Sequence, residues 1–204
     1  MLFNSIIISL HHQTREQNIR NIMKTRVLFR KDVAIQAILY VAHAIGERKD
    51  IHKICKTLYY ADQMHLSKYG RSITGDVYIA MNYGPVPSNI EDIFKAMRGD
   101  SYFSDQVDDI KEYFYFVNKY ILKTKKEPDM DFLSDSDVEC LDSAILKCKD
   151  KSFKELTIMS HDLAWENTQK DRAMSVKDIL REIGDDEDYV NYIDSQVQLA
   201  RSFK

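Results

Sequence analysis

Apolar residues at Val33, Ala34, Ala37, Ile38, Val41, Ala42 and Ile45 recur at the three- and four-residue spacing of one helical face, so the chain from Asp32 to Gly46 reads as a helix. Asp32 is its expected N-cap and Gly46 its stop. A second helix is expected over residues 51–69, burying Ile51, Ile54, Cys55, Leu58, Tyr59, Leu66 and Tyr69 and ending at Gly70. Asp62 and His65 fall on or beside that apolar stripe, where ionisable side chains are rare. Residues 71–87 are rich in β-branched and aromatic side chains and are punctuated by Gly75, Gly84, Pro85 and Pro87, which predicts a short strand or hairpin and then an extended turn. Ser88 with Glu91 has the form of a capping box, opening a helix through Ile90, Ile93, Phe94 and Met97 that stops at Gly99.

Past Gly99 the period changes. Residues 112–117 and 119–123, on either side of Asn118, are aromatic and β-branched enough to be strands, and Pro128 closes the region. Helical spacing then returns. Ser134 with Asp137 caps a helix through Val138, Leu141, Ile145 and Leu146; Ser152 with Glu155 caps a short one through Phe153, Leu156 and Met159 that runs on into residues 160–165. Two last helices are expected over residues 176–183 and 189–200, separated by the acidic run Asp185 to Asp188, which suits a helix N-terminus. The pattern predicts a mainly α (α+β) fold, one compact helical domain with a small antiparallel β element.

Composition narrows the classes of function. Of 204 residues, 44% are hydrophobic and 30% charged, a balance that excludes collagen-like, low-complexity and wholly disordered chains. No apolar run approaches the roughly 18–20 residues of a membrane span, so no membrane partner is expected. Basic side chains number 29 against 32 acidic ones, a formal charge of -3. With no global basic field, nucleic acid is not an expected partner, and only a local patch would attract it. Cys55, Cys140 and Cys148 match neither a zinc pattern nor a disulfide framework and read as reduced thiols of a cytoplasmic protein.

Residues 1–22 are patterned differently from the rest. The apolar run from Phe3 to Leu10 lacks a preceding positive region and a small-residue cleavage site, which argues against secretion. Met23 leads straight into the first patterned helix and reads as a second translation start, so residues 1–28 are taken as an N-terminal extension and 29–204 as the domain. Between Arg15 and Lys31, six basic residues (Arg15, Arg20, Lys24, Arg26, Arg30, Lys31) accompany one acid, Glu16; a solvated terminus is the simpler reading than a nucleic-acid arm.

Candidate chemistry is sparse. Asp62 and His65 are neighbours on one helix, so the carboxylate is placed to orient the imidazole, and His161 is the third member of any acid-base or metal set with them. No HExxH or CxxC spacing and no glycine-framed nucleophile supports a metal or covalent catalysis, and a buried hydrogen-bond network is the simpler reading. The segment Gly84-Pro85-Val86-Pro87-Ser88 is no phosphate loop, but its prolines fix φ and stiffen a turn beside Tyr78 and Tyr83, which makes it a candidate interaction surface as well as a rigid connection. Trp165, the single tryptophan, is expected to plug the core or anchor an interface. Tyr113, Phe114, Tyr115 and Phe116 have the makings of a stacking platform for single strands, but no basic residue is interleaved among them, which favours an ordinary half-buried strand.

The stretch Lys56-Thr57-Leu58-Tyr59-Tyr60-Ala61-Asp62-Gln63-Met64-His65-Leu66-Ser67-Lys68-Tyr69-Gly70-Arg71-Ser72-Ile73-Thr74-Gly75-Asp76, followed by Tyr78-Ile79-Ala80, by Tyr83-Gly84-Pro85-Val86-Pro87-Ser88, and by Ser160-His161 with Trp165, resembles the defining blocks of the Panacea domain, the SocA-like antitoxin family that includes phage-associated proteins. The resemblance spans about residues 29–183 and departs at Ser72, where the family often has proline, and in the spacing of Asp162-Leu163-Ala164 before Trp165. It implies a non-enzymatic antitoxin of a bacterial or prophage toxin-antitoxin pair, without a cofactor or metal, neutralising a toxin encoded beside it by direct binding. It also implies an alternative, an adaptor delivering the toxin to a cytoplasmic AAA+ protease as in the family's founding member, for which the acidic tail from Asp185 is the candidate docking element; a second alternative, from the residues alone, is an enzyme reversing toxin damage through Asp62, His65 and His161. The implied recognition region comprises Tyr59, Tyr60, Asp62, His65, Tyr69, Gly70, Arg71, Gly75, Asp76, Tyr78, Tyr83, Gly84, Pro85, Val86, Pro87, Ser88, Ser160, His161 and Trp165. Asp62 and His65 are expected to fix its geometry from beneath, and Arg71, Tyr78 and Tyr83 to be exposed for contact.

Overall fold

The computed structural model describes residues 28–46, 49–100 and 108–202. The apolar run from Phe3, the start at Met23 and the basic residues Arg15, Arg20, Lys24 and Arg26 lie outside the described residues. In chain order the elements are α1 (Lys31–Ala44), α2 (Ile51–Tyr69), a hairpin of β1 (Tyr78–Met81) and β2 (Gly84–Pro87), α3 (Ser88–Arg98), a second hairpin of β3 (Phe114–Phe116) and β4 (Leu122–Thr124), then α4 (Asp135–Cys148), α5 (Phe153–Ser160), α6 (Leu163–Glu166), α7 (Val176–Ile183) and α8 (Glu187–Ser202). The fold is mainly helical, with two small antiparallel two-stranded sheets.

α2 is the axis of the molecule. It packs against α1, α4, α5 and α7 and against β2, so nearly its whole circumference is covered, and Lys56, Thr57, Asp62, Gln63 and His65 are buried along with its apolar stripe. This encirclement is why ionisable residues interrupt the stripe: each must find a partner inside. Asp50 caps its start by accepting the His52 amide (2.8 Å), and Gly70 closes it in the left-handed conformation. Tyr69, expected on the buried side, is 45% exposed, because its hydroxyl turns outward to Glu139. Leu146 on α4 is likewise exposed rather than buried.

Helix starts at Ser134 and Ser152 form the capping boxes expected of them. Two other expected caps do not form. α1 begins one residue before Asp32, with Arg30 at the cap position and no side-chain bond there, leaving Asp32 in the first turn against the positive end of the helix dipole. At α3 the Ser88 side chain makes no cap bond, because Asp76 from the loop before β1 already takes the free amides of that turn. The helix from Ser152 also does not run on to Trp165. It ends at Ser160, and Asp162 accepts the Trp165 amide (3.0 Å) to start α6 separately.

The β1–β2 hairpin closes through the two-residue turn Asn82-Tyr83, with Tyr78 opposite Pro87 and Met81 opposite Gly84. The other edge of β1 is covered by residues 171–174: Ala80 donates to the Arg172 carbonyl (3.0 Å) and Met174 to the Tyr78 carbonyl (2.8 Å). The prolines therefore fall on the outer strand, where their missing N–H groups cost no ladder bond. In the second hairpin β4 starts three residues later than the sequence pattern indicated. The Asn118 side chain accepts the amides of Tyr120 and Ile121, holding residues 117–121 in a wide turn before the strands can pair.

Candidate functional site

Asp62 is held at the centre of the fold by four donors. Its Oδ1 accepts the amides of Ile73 (2.7 Å) and Thr74 (3.0 Å), and its Oδ2 accepts the hydroxyls of Thr74 and Tyr78 (2.8 Å). Burial pushes the carboxyl upward, and these four bonds pull it back. It makes no bond to His65, so the neighbour relation expected from their spacing is not used. Two residues beyond Thr74, Asp76 repeats the device, accepting the amides of Val77 (2.7 Å), Asn89 (2.9 Å) and Ile90 (3.0 Å) and the Asn89 side-chain amide (2.8 Å). Burial raises Asp76 to about 6 against those bonds, which leaves it ionised at neutral pH. Between the two carboxylates, Gly75 (φ +67°) packs so closely on the Leu28 backbone that a Cβ would lie 1.8 Å from the Leu28 carbonyl oxygen.

His65 faces the other way. Its Nδ1 donates to the Arg71 carbonyl (2.7 Å) and its Nε2 lies 3.0 Å from the Ser136 hydroxyl; burial pushes the ring's pKa below the ordinary imidazole value. Asp137, 3.1 Å from Nε2, takes the Arg71 guanidinium (3.0 Å). Burial opposes its charge, but the Ser134 hydroxyl and amide and the Arg71 guanidinium hold its carboxyl below the usual carboxylate range. His161 lies in a third place, stacked on the Trp165 indole at 3.6 Å. Asp62, His65 and His161 are thus not gathered into one constellation, and no group of three or more metal-ligating side chains occurs among the described residues.

The hairpin is anchored from below by a residue the sequence reading passed over. Lys56 is 1% exposed, and its ammonium donates to the Pro85 carbonyl at 2.6 Å. Burial pushes this amine down to about 8. Gly84 lies directly over it with φ +91°, and a Cβ there would sit 2.2 Å from Ser160 Oγ and 3.1 Å from Lys56 Nζ. Gly84 and Ser160, 76 residues apart in sequence, are therefore a contact pair. Tyr59 donates to Asp162 (2.7 Å), and the Trp165 indole N–H donates to the Met81 carbonyl (2.9 Å) at the end of β1. Trp165 is half-buried and ties α6 to the hairpin rather than plugging the core.

A family model described as antitoxin SocA-like, Panacea domain, matches residues 54–166, more than half of the chain. The chain belongs to this family. No curated relative and no solved structure matches it. Every residue of the hairpin anchor, from Lys56 to Trp165, falls inside the matched span.

Two concavities border the family's residues. One, of about 420 Å³, is lined by Tyr59, Asp62, Gly70, Arg71, Asp76 and Tyr78 with Ile179 and Val197; the Asp62 and Asp76 carboxylates on it are already fully bonded within the domain. The other is an open groove of about 850 Å³ beside the β1–β2 turn, lined by His52, Lys56, Met81, Tyr83, Val86, Tyr120 and Phe153 and also by the charged residues Asp50, Glu91, Lys170 and Asp171. Tyr83 is 60% exposed and meets Phe153 edge to face at 5.3 Å, while His52 lies against Phe153 at 4.1 Å. Burial and the nearby Lys56 charge push His52 down to about 4, so this wall is uncharged at neutral pH. Of the three residues expected at the contact surface, Tyr83 and Arg71 are exposed. Tyr78 is not: at 4% exposure its ring is enclosed beside Tyr59 and its hydroxyl is used by Asp62.

The Panacea domain's other motif residues are mostly interior. Tyr59, Tyr60, Gly84, Pro85 and Pro87 are buried, and Val86 is the one residue of Gly84–Pro87 that reaches the groove with partial exposure. Lys56 and Asp162 carried a sequence signal, a lysine within an apolar helical stripe and an Asp three residues before the tryptophan amide it caps, but neither is recognisable as an anchor until the hairpin is folded over α2.

Proposed function

We propose that this Panacea domain is an antitoxin that neutralises a toxin protein encoded beside it by direct binding, without chemistry of its own. One observation carries the reading: the motif residues build a hairpin locked from beneath, and beside its turn lies a groove whose aromatic wall is headed by Tyr83 and Phe153. A surface already rigid loses little entropy on association, and exposed aromatic anchors concentrate binding energy in few side chains. The interior polar residues are then scaffolding, and Arg71, tied to Asp137, stands apart from the groove's lining. Residues 29–204 are taken as the functional domain and 1–28 as an extension outside it. The three cysteines, all buried and free, suit a bacterial cytoplasm. No helix among the described residues is long and apolar enough to cross a membrane.

The adaptor alternative rests on the acidic run from Asp185, and most of that run is occupied: Asp185 accepts from Ser67, Asp186 caps the Tyr189 amide, and Glu187 pairs with Arg181. Blocking is therefore the favoured mechanism. The test is co-expression with the neighbouring gene product in cells that the product alone kills. Wild-type chain is expected to protect, in strains with and without the AAA+ proteases, and Tyr83→Ala with Phe153→Ala to stop protecting while accumulating to the same level. Protection that vanishes with the protease would transfer the assignment to delivery, and protection by substoichiometric antitoxin would transfer it to an enzyme.

A further inference from the structure

We infer that the outer face of the β3–β4 hairpin is a binding site for single-stranded nucleic acid, a face that adjoins the proposed toxin-binding groove at Asn118 and Tyr120. Residues 113–126 contain five aromatic side chains and four lysines and no acid, in a chain whose net charge is -3. In the linear sequence the aromatic block Tyr113 to Phe116 contains no basic residue. Antiparallel pairing brings lysine to it: Tyr115 stands opposite Lys123 on the exposed face, and Phe114 and Leu122 turn into the core from the opposite one. The Lys125 ammonium lies 5.6 Å from the Tyr115 ring centre, Lys126 lies 4.6 Å from that of Tyr113, and Lys119 lies 5.9 Å from that of Tyr120. Alongside runs a groove of about 600 Å³ lined by Arg98, Lys111, Lys119 and Lys125, with Asp100 the one acid among its described lining residues.

Several local charges are already neutralised: Lys111 by Asp108, Lys126 by Glu112, and Arg98 by Glu91 and Asp100. Lys119, Lys123 and Lys125 have no ion-pair partner among the described residues, so the outward field of this face is positive. Exposed rings set among unpaired ammonium groups match a chain of phosphates carrying flat bases, with each base free to stack and each phosphate near a lysine. Duplex does not fit this chemistry, because its bases are already stacked and its edges lie in grooves that a three-residue strand face does not enter.

The test is fluorescence anisotropy of the full chain with fluorescein-labelled oligo(dT) and oligo(rU) of about 12 nucleotides, inside the roughly 4–16 nucleotide range of single-strand sites. Binding is expected at low salt and to weaken as salt rises. Lys123→Gln with Lys125→Gln should lower the log–log salt slope by about 0.7 for each lysine removed. Tyr115→Ala should weaken binding about tenfold and Tyr115→Phe far less, because the ring face is retained. All three positions are exposed or half-exposed on the strand surface, so an unchanged urea midpoint separates lost binding from lost folding. Preference between the two oligomers distinguishes a 2′-hydroxyl-reading RNA site from a DNA site. Absence of binding at low salt, binding untouched by these substitutions, or equal displacement by polyglutamate, which would mark an acidic protein surface as the partner, overturns the assignment.

Discussion

Replacing Asp62 separates a scaffold from a reactive group. In Asp62→Ala the hydroxyls of Thr74 and Tyr78 can rotate toward other acceptors, but the amides of Ile73 and Thr74 are fixed in a buried loop and lose their only side-chain acceptor. An orphaned buried donor costs about 1–3 kcal/mol, so the two amides alone cost about 2–6 kcal/mol. Removing a buried carboxylate returns part of this through relieved desolvation, which leaves a loss of about 1–4 kcal/mol. Against the ~5–15 kcal/mol stability of an ordinary domain this is a large fraction. With m near 2 kcal/mol/M, the urea midpoint should fall by about 0.5–2 M, read by circular dichroism on the purified variant. Tyr78→Phe, which removes one bond to the charged group, should cost about 1.5–3 kcal/mol. Protection in cells should fall in proportion to the folded fraction. An Asp62→Ala protein with an unchanged midpoint that no longer protects would refute the reasoning, because the carboxylate would then be acting on something outside the fold.

Other outcomes follow from the same structure. Gly84→Ala combines a left-handed φ with a Cβ at 2.2 Å from Ser160 Oγ and should cost about 2–4 kcal/mol; adding Ser160→Gly should recover the steric part, and a double-mutant cycle showing no coupling would deny the contact. Asp76→Ala should destabilise by about 2–4 kcal/mol, while Ser88→Ala should change the urea midpoint by less than about 0.5 kcal/mol equivalent, the reverse of what the apparent capping box at Ser88 implies. Lys56 titrates near 8 in the folded state against an ordinary 10.5, so between those values the unfolded chain binds the extra proton and stability rises with pH. The wild type should gain about 2 kcal/mol from this group between pH 8 and 9.5, and Lys56→Met should lose that slope, as measured by urea midpoints across the range.

Much of the architecture was legible because it is local. The boundaries of α2 and α7, the hairpin at the two prolines and the capping boxes at Ser134 and Ser152 are set by side chains within a few residues of each other, and pattern suffices for them. What escaped is what long-range contacts decide. Ser88 and Glu91 had the form of a cap, but Asp76, a dozen residues earlier, reaches the same amides first. Asp62 and His65 are three apart on one helix, yet α2 is enclosed on all sides, so each side chain turns to a different neighbour, Asp62 to residues 73–78 and His65 to Arg71 and Ser136. Tyr78 read as exposed because its own sequence neighbourhood is a turn; its ring is enclosed only when β1 is laid against α2, beside Tyr59 and Asp62. Lys56 looked like the edge of a motif and is the support of the hairpin, a role visible once Pro85 is placed over it. The aromatic block at 113–116 lacked cations in sequence, and strand pairing brings them in from residues 123–126.

The central claim is that the hairpin groove holds the toxin and performs no reaction on it. Titration calorimetry of purified toxin into purified antitoxin tests it most directly. A saturable complex at a fixed molar ratio is predicted, with toxin activity falling in step with occupancy, and Tyr83→Ala with Phe153→Ala is predicted to abolish the heat while leaving the urea midpoint in place. Toxin silenced at catalytic amounts of antitoxin, or bound with full affinity by the groove variant, would contradict the account.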